Sequence, residues 1–577
     1  MNFKVGTLSR VSLCSLMVGL VGCGGGGGSD DTTSAASAAP TSCTQLLNIL
    51  IPPTAIGLPT TGATVASSVA VAASGAGASA TPAYCLVSGD IMPVDTTAPN
   101  IKFQLALPDA WNQKAIMLGG GGLNGFIPPV TANLFDAPLD SKSPLQKGYA
   151  VFASDSGHQD PTSSNITSTS TTIAAFAVND EALANYSGDA LKKTHDAAFV
   201  LIKAAYASTP KKSYFLGTSN GGKEALIVSG RWPSDWDGVV SLMPAQNWTP
   251  GVLSYLRAAK TFAAPGAFVS REKRSVLFRA ALSACDGLDG VQDGLISDVQ
   301  RCNAVFDPST ALLNGSPVRC AGGVDSGDNC LSDIQIAALK TVNGPLVFDF
   351  QMASGETAYP GWNVFTSDTG VSGDSFISTY VAYLSILGVS PQTFPVTSAD
   401  LGLRIAEGWL RYAVARDPSF SYLNFDASNP GAYAARLSEL SVRDVSVKNL
   451  TGFATKGGKL LLMHGQADLI INPRGTELYF QGLQSTMGAA QVDSFLRFYL
   501  VPGFGHSFSS AFFAKWDQLK ALEDWVESGV DPKANQVVTD IVGVPGRTRP
   551  LCIYPTWPKY KGSGDVNQAA SFSCTTS

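Results

Sequence analysis

The sequence predicts an α/β fold in which a mainly parallel sheet is interrupted by one large insertion. Strand-like and helix-like segments alternate between residues 100 and 248, and the alternation resumes after residue 457. Such alternation is typical of parallel strands connected by helices. The stretch from about 249 to 449 lacks this rhythm, and a large fold with an insertion fits 577 residues as well as several separate domains do.

The elements of the first half follow one another in a regular order. "IKFQLAL" alternates apolar and polar residues as a strand does, and the Pro-Asp pair after it marks a turn before the second strand "AIML". Later segments continue the pattern of strand, helix, strand, helix and strand: "YAVFASDSGH" (149–158), "GDALKKTHDAAFVLIKAAYA" (188–207), "SYFLG" (213–217), 221–231 and "DGVVSLMPA" (237–245).

The second half of the core contains two further strands and a closing helix. The strands are predicted in "GGKLLLMHGQAD" (457–468) and "FLRFYLVPGFGH" (495–506), and the amphipathic helix at 512–529. We therefore divide the folded chain into a first core part at 43–248, an inserted lid domain at 249–449 and a second core part at 450–577.

The first residues are predicted to direct export. Residues 1–22 combine basic residues with an apolar stretch too short to span a bilayer, as a signal peptide does. They end in "LVGC", the pattern of a bacterial lipobox, which predicts lipidation of Cys23; a plain secretory signal with an incidental cysteine is the alternative. Residues 23–42 are rich in Gly, Ser and Ala and predict a flexible tether. We expect an outer-membrane lipoprotein or a periplasmic or extracellular protein, with the lipid anchor as its only membrane contact.

Composition excludes a nucleic-acid partner. The net charge is −6, only 15% of residues are charged, and no run of Lys and Arg occurs. The 45% apolar content is ordinary for a soluble enzyme. We expect a monomer that binds a small molecule.

Eight cysteines remain outside the targeting segment. An even number in an exported chain predicts four disulfides, and zinc binding is disfavoured because the sequence contains no C-x-x-C pair. Bridging sequence neighbours is the simplest of many possible pairings. The eight are Cys43, Cys85, Cys285, Cys302, Cys320, Cys330, Cys552 and Cys574.

A candidate nucleophile stands in "GTSNG", residues 217–221. The pentapeptide fits the G-x-S-x-G nucleophile elbow, and it has the required strand before it and helix after it. The elbow holds a serine hydroxyl on a tight turn, but that hydroxyl needs a base to take its proton. Ser219 is therefore a nucleophile only if a base is found; otherwise "GTSNG" is a glycine-rich turn that happens to contain a serine.

The base can be sought among only four histidines. His195 lies inside a predicted helix, and His158 ends a strand upstream of the serine, where a structural or pocket-lining role is expected. His464 directly follows a strand, four residues before Asp468, while His506 lies between the last strand and the last helix.

The chain order of serine, acid and histidine is that of α/β-hydrolases. Ser219, Asp468 and His506 have this order, each at the end of a predicted strand, and we predict that they form a catalytic triad. His506 would take the Ser219 proton, and Asp468 would fix the imidazole tautomer. An Asx turn is the alternative interpretation of Asp468.

The tetrahedral intermediate needs two donors for its oxyanion. One is the backbone N–H of Asn220, the residue after the nucleophile, and the other is expected from the loop Gly119–Gly122, which follows a strand as an HGGG-type loop does. A phosphate cradle is disfavoured because the loop lacks a Lys-Ser/Thr pair and no helix follows it.

A second polar cluster lies between Cys285 and Cys302. Asp286, Asp289 and Asp293 share one glycine-punctuated loop, and such carboxylates with neighbouring carbonyls suit Ca²⁺. The spacing is not that of an EF-hand, and solvated turn acids explain the loop equally well. The loop is remote in sequence from the triad, so a bound ion would be structural.

Together these motifs resemble the tannase and feruloyl esterase family of α/β-hydrolases. The likeness rests on the lipobox, the glycine loop, G-x-S-x-G-G, the aspartate loop, "HGxxD", "VPGxxH" and the tail 547–574, and it covers about 43–577, less clearly in 335–450. It implies an α/β-hydrolase core with a lid, and a serine esterase acting through an acyl-enzyme. The expected substrates are feruloyl, galloyl or terephthaloyl monoesters. A hydrolase of aliphatic or hydroxyalkanoate esters and a non-catalytic surface binding protein are the alternatives.

The resemblance also implies roles for individual residues. The family's oxyanion donors fall on Gly122 and Asn220, and its cysteine bridges match the pairing of sequence neighbours. The family's calcium ligands fall on three side chains and two backbone carbonyls: Asp286, Asp289, Asp293, Val291 and Leu295.

This chain departs from the family in the clamp beside the triad. The family usually joins a cysteine before the serine to one before the histidine, but here Thr218 and Gly505 occupy those positions. We expect an active enzyme whose His506 loop is looser and is held by packing.

A second departure lies in the lid. Members that cleave terephthalate monoesters bind the free carboxylate with a lid arginine, whereas Asp400 stands near that position here. The resemblance therefore does not by itself imply that this chain hydrolyses terephthalate monoesters. Nearby residues are candidates for the substrate pocket, although core packing is the competing explanation for the aromatic ones: Trp362, Phe365, Arg404, Trp409 and Arg411.

Overall fold

A ten-stranded sheet organises the core of the computed structural model. The structure describes residues 40–77, 80–160, 172–368, 386–391, 401–443, 448–533 and 535–576. The signal peptide, Cys23 and Asp400 lie outside these ranges, and so do most of the tether residues. The strands of the sheet are β1 (Leu50–Ile51), β2 (Gly62–Val71), β3 (Tyr84–Met92), β4 (Ile101–Pro108), β5 (Lys114–Leu118), β6 (Ala150–Ser154), β7 (Lys212–Thr218), β8 (Gly238–Leu242), β9 (Lys459–Gly465) and β10 (Leu496–Val501).

The spatial order of the strands is β1-β2-β3-β4-β6-β5-β7-β8-β9-β10. The pairs from β1 to β4, and the pair of β4 with β6, are antiparallel, whereas all pairs from β6 to β10 are parallel. The predicted α/β class is confirmed. In a parallel sheet the carboxyl ends of the strands meet at one edge, so residues following β7, β9 and β10 can share a site there.

Both faces of the parallel strands are buried, which explains their continuous apolar runs. Phe215 faces one hydrophobic cluster and its neighbour Tyr214 faces the other, as the two-residue period of a strand requires. Leu226 of the helix that follows the elbow packs on the first face, and Trp525 of the closing helix packs on the second. The helices of the core are Asp180–Ala184, Ala190–Tyr206, Asn220–Arg231, Thr451–Lys456, Pro473–Met487, Ala489–Phe495 and Gln518–Ser528.

The insertion lies between β8 and β9, which are neighbours in the sheet. It contributes most of a third hydrophobic cluster, in which Leu253, Leu339 and Leu410 are fully buried. The exact domain boundaries that we assigned stay predictions. Its helices are Trp248–Ala263, Arg271–Cys285, Val299–Val305, Asp333–Asn343, Leu401–Gly408 and Ala434–Ser441, and its short strands are Leu312–Leu313, Ser316–Pro317, Leu346–Val347 and Ala358–Tyr359.

The closing helix begins later than its apolar pattern suggests. We expected it from residue 512, but it begins at Gln518, where the Asp517 side chain accepts a hydrogen bond from Lys520 N as an N-cap. Residues Ala514–Lys515 instead pair as a strand with Asp540 and Thr539. This long-range pairing overrides the local periodicity. The remaining short strands are Val537–Asp540, Thr548–Pro550, Trp557–Tyr560 and Phe572–Thr575.

Four disulfides join the eight cysteines as sequence neighbours, which confirms the predicted pairing. Within the described ranges, the helices are all too short or too polar to cross a membrane. The bridges are Cys43–Cys85, Cys285–Cys302, Cys320–Cys330 and Cys552–Cys574.

Candidate active site

Ser219 occupies a strained turn between β7 and the helix that begins at Asn220. Its backbone angles are φ 63° and ψ −120°, a region of backbone conformation that residues other than glycine rarely adopt. Its N–H donates to the carbonyl of Leu242 at 2.9 Å, and its carbonyl accepts from Lys223 N at 3.1 Å and Ala245 N at 3.0 Å. Three backbone hydrogen bonds therefore hold the strained conformation.

The two glycines of the pentapeptide are required by close backbone approaches. A Cβ at Gly217 would lie 2.2 Å from the carbonyl oxygen of Gly221. A Cβ at Gly221 would lie 2.7 Å from the carbonyl oxygen of Gly120, which accepts a hydrogen bond from Gly221 N at 2.9 Å. The elbow and the glycine loop are therefore in direct contact, and no side chain fits between them.

The glycine loop reaches the elbow through further backbone contacts. Gly119 N donates to the carbonyl of Leu216 at 2.9 Å, and Gly122 has a φ of 57° that suits glycine. The Asn220 side chain is committed elsewhere, because its Nδ2 donates to Asn124 Oδ1 at 3.0 Å. A contribution of Asn220 to the oxyanion hole is thus confined to its backbone N–H, the role that the sequence analysis predicts for it.

Sequence reasoning missed Glu224, a buried carboxylate that ties these two segments together. It accepts hydrogen bonds from Gly120 N at 2.9 Å and from the side-chain amides of Asn124 and Asn220. Burial raises the pKa of Glu224, although the bond from Gly120 N, the charge of Lys223 and the Asn124 amide oppose that rise. In the sequence this role is only weakly indicated, by a charged residue within a helix that is buried along most of its length.

Asp468 and His506 form a close pair at the carboxyl edge of the sheet. His506 Nδ1 lies 2.6 Å from Asp468 Oδ2, and the other carboxylate oxygen accepts from Ile470 N and Ile471 N at 2.8 and 2.9 Å. The Asp468 side chain is fully buried, whereas that of His506 is 11% exposed. Burial alone would raise the pKa of Asp468, but the adjoining imidazoles of His506 and His464 outweigh it and hold this pKa below its usual value.

His464 is the second imidazole on this carboxylate. Its Nε2 lies 3.1 Å from both Asp468 Oδ2 and the carbonyl oxygen of Ile471, and its Nδ1 lies 2.8 Å from Thr476 Oγ1. The sequence analysis placed His464 after a strand without assigning it a role. The structure makes it a direct neighbour of the predicted acid.

Buried hydroxyl–carboxylate contacts hold the loop after His506. Ser507, at a φ of 57°, donates through Oγ to Asp136 Oδ2 at 2.7 Å, and Ser510 Oγ donates to Asp368 of the lid. Burial raises the pKa of Asp136, while nearby Lys515, the Ser507 hydroxyl and the charge of His506 oppose the rise. These contacts connect the loop after His506 to Asp136 and to the lid.

Thr218 and Gly505, at the positions of the missing disulfide clamp, are both packed against neighbouring atoms. Thr218 Oγ1 is buried and has no hydrogen-bond partner among the described residues. A Cβ at Gly505 would lie 2.5 Å from the carbonyl oxygen of Phe508, so a cysteine there would require the loop to shift. The looser His506 loop stays a prediction, and the two hydroxyl contacts act against it.

The lid residues proposed for the pocket fall into different environments. Phe365 packs in the lid core, 5.9 Å from Phe306 between ring centroids. Trp409 lies 5.9 Å from the ring of Tyr186, whose hydroxyl donates to Asn220 Oδ1 at 3.2 Å. Trp409 is therefore the candidate that the structure brings near the elbow.

The other lid candidates are buried or hold structural contacts. Arg404 is completely buried, and Arg411 forms an ion pair with the buried Glu407 at 2.5 Å. Trp362 donates through Nε1 to Ser254 Oγ at 2.8 Å inside the lid core.

The aspartate loop brings three carboxylates near enough for their charges to act on the pKa values of Asp286 and Asp289. Asp286 accepts hydrogen bonds from Asp293 N and Gly294 N at 3.1 and 3.0 Å, and Asp293 is paired with Arg549. Asp289 Oδ2 is buried and lacks a hydrogen-bond partner among the described residues. Burial raises the pKa of Asp289 to about 6, and the charges of Asp293 and Asp286 act in the same direction. Asp289 Oδ1 accepts a hydrogen bond from Val291 N at 3.1 Å, so only Oδ2 is left for a further ligand, and a buried carboxylate oxygen of this kind fits a hard cation.

The remaining two histidines are packed, as expected. His158 stacks on Phe176 at 3.8 Å, and burial lowers its pKa to about 3. His195 stacks on Phe199 at 4.0 Å. Asp196 beside it is neutralised by the ammonium group of Lys192, 2.8 Å away.

Comparison with known proteins identifies a family and its relatives. The family model described as tannase and feruloyl esterase matches residues 85–575. An uncharacterized esterase of Agrobacterium fabrum is 38% identical over 548 residues, with 92% of each chain covered. Mono(2-hydroxyethyl) terephthalate hydrolase of Piscinibacter sakaiensis is 30% identical over 540 residues, with 86% of each chain covered. The crystal structure of feruloyl esterase B from Aspergillus oryzae aligns with a TM-score of 0.69 at 22% identity, covering 90% of this chain and 98% of that one. That structure supports the α/β-hydrolase fold.

The contact between Ser507 and Asp136 generates a first prediction. Ser507→Ala leaves a buried carboxylate oxygen without its donor, which costs about 1–3 kcal/mol, and it releases the residue next to His506. We expect a lower melting temperature and a kcat reduced at least about fivefold, measured by calorimetry and by steady-state kinetics on an aromatic ester.

Ser494→Ala is the matched control, because the Ser494 hydroxyl donates only to a nearby exposed carbonyl, that of Gln491. A kcat as high in Ser507→Ala as in this control would show that the contact with Asp136 does not position the His506 loop.

Proposed function

The chain belongs to the tannase and feruloyl esterase family, and from that premise we propose a hydrolase of aromatic or phenolic acid esters that works through an acyl-enzyme on Ser219. One observation carries this assignment. Ser219 projects from a strained turn after β7, while the hydrogen-bonded pair of Asp468 and His506 follows β9 and β10 at the same edge of the sheet.

The proposed reaction has two halves. His506 removes the Ser219 proton as Oγ attacks the ester carbonyl carbon, and the tetrahedral oxyanion is bound by the backbone N–H groups of Asn220 and Gly122. Collapse breaks the bond to the alcohol oxygen, which leaves with the proton from His506. Water then attacks the acyl-enzyme with the same proton transfers, releasing the acid and free Ser219.

Asp468 keeps the imidazole competent in both halves. Its contact with His506 Nδ1 at 2.6 Å fixes the tautomer that leaves Nε2 unprotonated toward the serine. The imidazolium that forms when His506 takes a proton is stabilised by the same carboxylate, which is held ionised by its donors.

The lid favours neutral phenolic acyl groups over acyl groups with a free carboxylate. A terephthaloyl monoester carries a negative charge that needs an unpaired cation, yet Arg411 is already paired with Glu407 and Arg404 is completely buried. The aromatic ring of Tyr186 lies beside Asn220 and that of Trp409 packs on it, both almost completely buried, so the side chains behind the elbow are apolar and aromatic rather than cationic. We therefore place feruloyl and galloyl esters ahead of terephthaloyl monoesters, and ahead of aliphatic or hydroxyalkanoate esters. A purely binding role is disfavoured by the paired Asp468 and His506.

We also propose a structural Ca²⁺ ion in the lid. Its ligands would be the side chains of Asp286, Asp289 and Asp293 and the carbonyls of Val291 and Leu295, and the unpartnered Asp289 oxygen supports this choice. The bound ion would neutralise the mutual repulsion of the three carboxylates.

The protein is further proposed to be an exported monomer. Four disulfides fit an oxidising compartment. The "LVGC" stretch supports lipidation of Cys23, which would anchor an outer-membrane lipoprotein.

An ester panel tests the substrate assignment. We expect kcat/KM for methyl ferulate or methyl gallate to exceed that for mono(2-hydroxyethyl) terephthalate by about tenfold or more, because the free carboxylate would be left without a cation. An aliphatic ester should also be slower, because it lacks an aromatic ring to pack against the site. Products are separated by liquid chromatography. Ser219→Ala should lower every rate by at least about a thousandfold.

The outcomes separate the two parts of the proposal. Preference for the terephthalate monoester would refute the argument from Arg411 while leaving the triad intact. Unchanged hydrolysis by Ser219→Ala would refute the triad itself.

Removal of metal tests the calcium site. A chelator should lower the melting temperature of the wild-type protein by several degrees, because a ligand present at a hundred times its Kd stabilises the folded state by about 2.7 kcal/mol. Added Ca²⁺ should restore it. Asp289→Asn should melt at the lower temperature with or without Ca²⁺, whereas Asp328→Asn, an exposed acid elsewhere in the lid, should respond like the wild type. Equal melting of the wild type with and without chelator would exclude the site.

A further inference from the structure

The carboxylate of Asp468 is shared by two imidazoles, although the triad requires only one. His464 is as completely buried as Asp468, and its Nε2 lies 3.1 Å from the same Oδ2 that contacts His506. A buried histidine is often a satisfied core residue, so the question is whether this one acts on the catalytic acid.

The neighbours of His464 define its protonation. Nε2 faces two acceptors, Asp468 Oδ2 and the carbonyl oxygen of Ile471, so Nε2 carries a hydrogen and donates. Nδ1 faces Thr476 Oγ1 at 2.8 Å, and a hydroxyl can donate to it. The neutral Nε2–H tautomer thus satisfies every polar atom of the ring without burying a positive charge.

The same contacts complete the coordination of Asp468. One oxygen accepts from Ile470 N and Ile471 N, and the other accepts from the two imidazoles. A carboxylate bound by four donors has little freedom to rotate, and its charge is stabilised where no water reaches it. Without His464, Oδ2 would have His506 as its only donor among these contacts.

We propose that His464 is a positioning residue of the triad: its Nε2–H holds the Asp468 carboxylate in the orientation that His506 requires. This inference rests on the proposed esterase function and adds a residue to it. Thr476 belongs to the helix Pro473–Met487, so hydrogen bonds run from that helix through His464 and Asp468 to His506. In a chain with Thr218 and Gly505 at the clamp positions, this series supplies a rigid support for the base.

Three substitutions separate positioning from packing. His464→Phe keeps the ring volume and removes both nitrogens, His464→Gln keeps an N–H donor of similar reach, and Thr476→Val removes the hydroxyl alone. His195→Phe is the matched control, because His195 is another buried, stacked imidazole that does not contact the triad. Active sites are counted by endpoint labelling with a fluorophosphonate, so unfolded molecules do not enter kcat.

The expected result is a split between kcat and KM on methyl ferulate. His464→Phe should lower kcat per labelled site by about tenfold or more, the range seen when a residue that orients a functional group through a hydrogen bond is lost. The KM should stay within about twofold of the wild-type value. His464→Gln should recover part of that loss, Thr476→Val should show an intermediate one, and His195→Phe should keep the wild-type kcat. Full kcat in His464→Phe, or equal losses in His464→Phe and His464→Gln, would overturn the proposal.

A spectroscopic readout keeps the test independent of ester hydrolysis. The wild-type protein should show two strongly downfield imidazole N–H proton resonances, from His506 Nδ1 and His464 Nε2, as hydrogen bonds to a buried carboxylate produce. His464→Phe should remove one and shift the other, while His195→Phe should leave both in place. An unshifted His506 resonance in His464→Phe would overturn the positioning role of His464, whether or not the protein hydrolyses esters. Failure to hydrolyse any ester tested would refute only the proposed function.

Discussion

The buried carboxylate of Asp468 is the group around which the site is arranged. A charge without water must be matched by donors, and Asp468 obtains four of them from its own loop and from two histidines. The strand β9 can deliver this loop because Gly465 lets the chain pass against the segment that carries His506. A Cβ at Gly465 would lie 2.3 Å from the carbonyl oxygen of Phe504, whose oxygen also accepts from Ala467 N. Acid and base therefore sit on two loops packed backbone to backbone.

The nucleophile is also held where two loops pack backbone to backbone at glycines. The elbow and the glycine loop touch through Gly221 and Gly120, so the predicted oxyanion donors and Ser219 belong to one rigid unit. Glu224 joins the two segments by accepting hydrogen bonds from Gly120 N and from the side-chain amides of Asn124 and Asn220. With Thr218 and Gly505 at positions where no bridge can form, the loop after His506 is held by buried contacts such as that of Ser507 with Asp136. Each hydrogen bond of this kind is weaker than a covalent bridge.

Much of the fold could be predicted from local patterns. Continuous apolar strands and the elbow could be recognised because each depends on residues close together in sequence, and the triad could be proposed because its three members follow such strands in a known chain order. The strands β1–β3 were not identified; in β2 only three of the ten residues are buried, and its apolar pattern is weak. The start of the closing helix was misplaced because Ala514 and Lys515 pair with a distant strand.

The supporting residues of the site could not be read from the sequence for the same reason. Asp136 lies 371 positions from Ser507, and Glu224 lies 104 positions from Gly120. His464 is only four residues from Asp468, but that spacing alone does not show that both imidazoles meet one oxygen. The pair of Glu407 and Arg411, by contrast, has the i,i+4 spacing of a helical ion pair and could have been read from the sequence.

Covalent trapping is the sharpest test of whether Ser219 is a nucleophile activated by the Asp468–His506 pair. A fluorophosphonate reacts with an activated serine to give a stable tetrahedral adduct of the kind that an oxyanion hole binds. Peptide mass spectrometry after reaction should find one phosphonyl group per chain, on Ser219, in step with the loss of esterase activity. A chain that loses activity with the adduct on another residue, or that keeps full activity with Ser219 modified, would contradict the account.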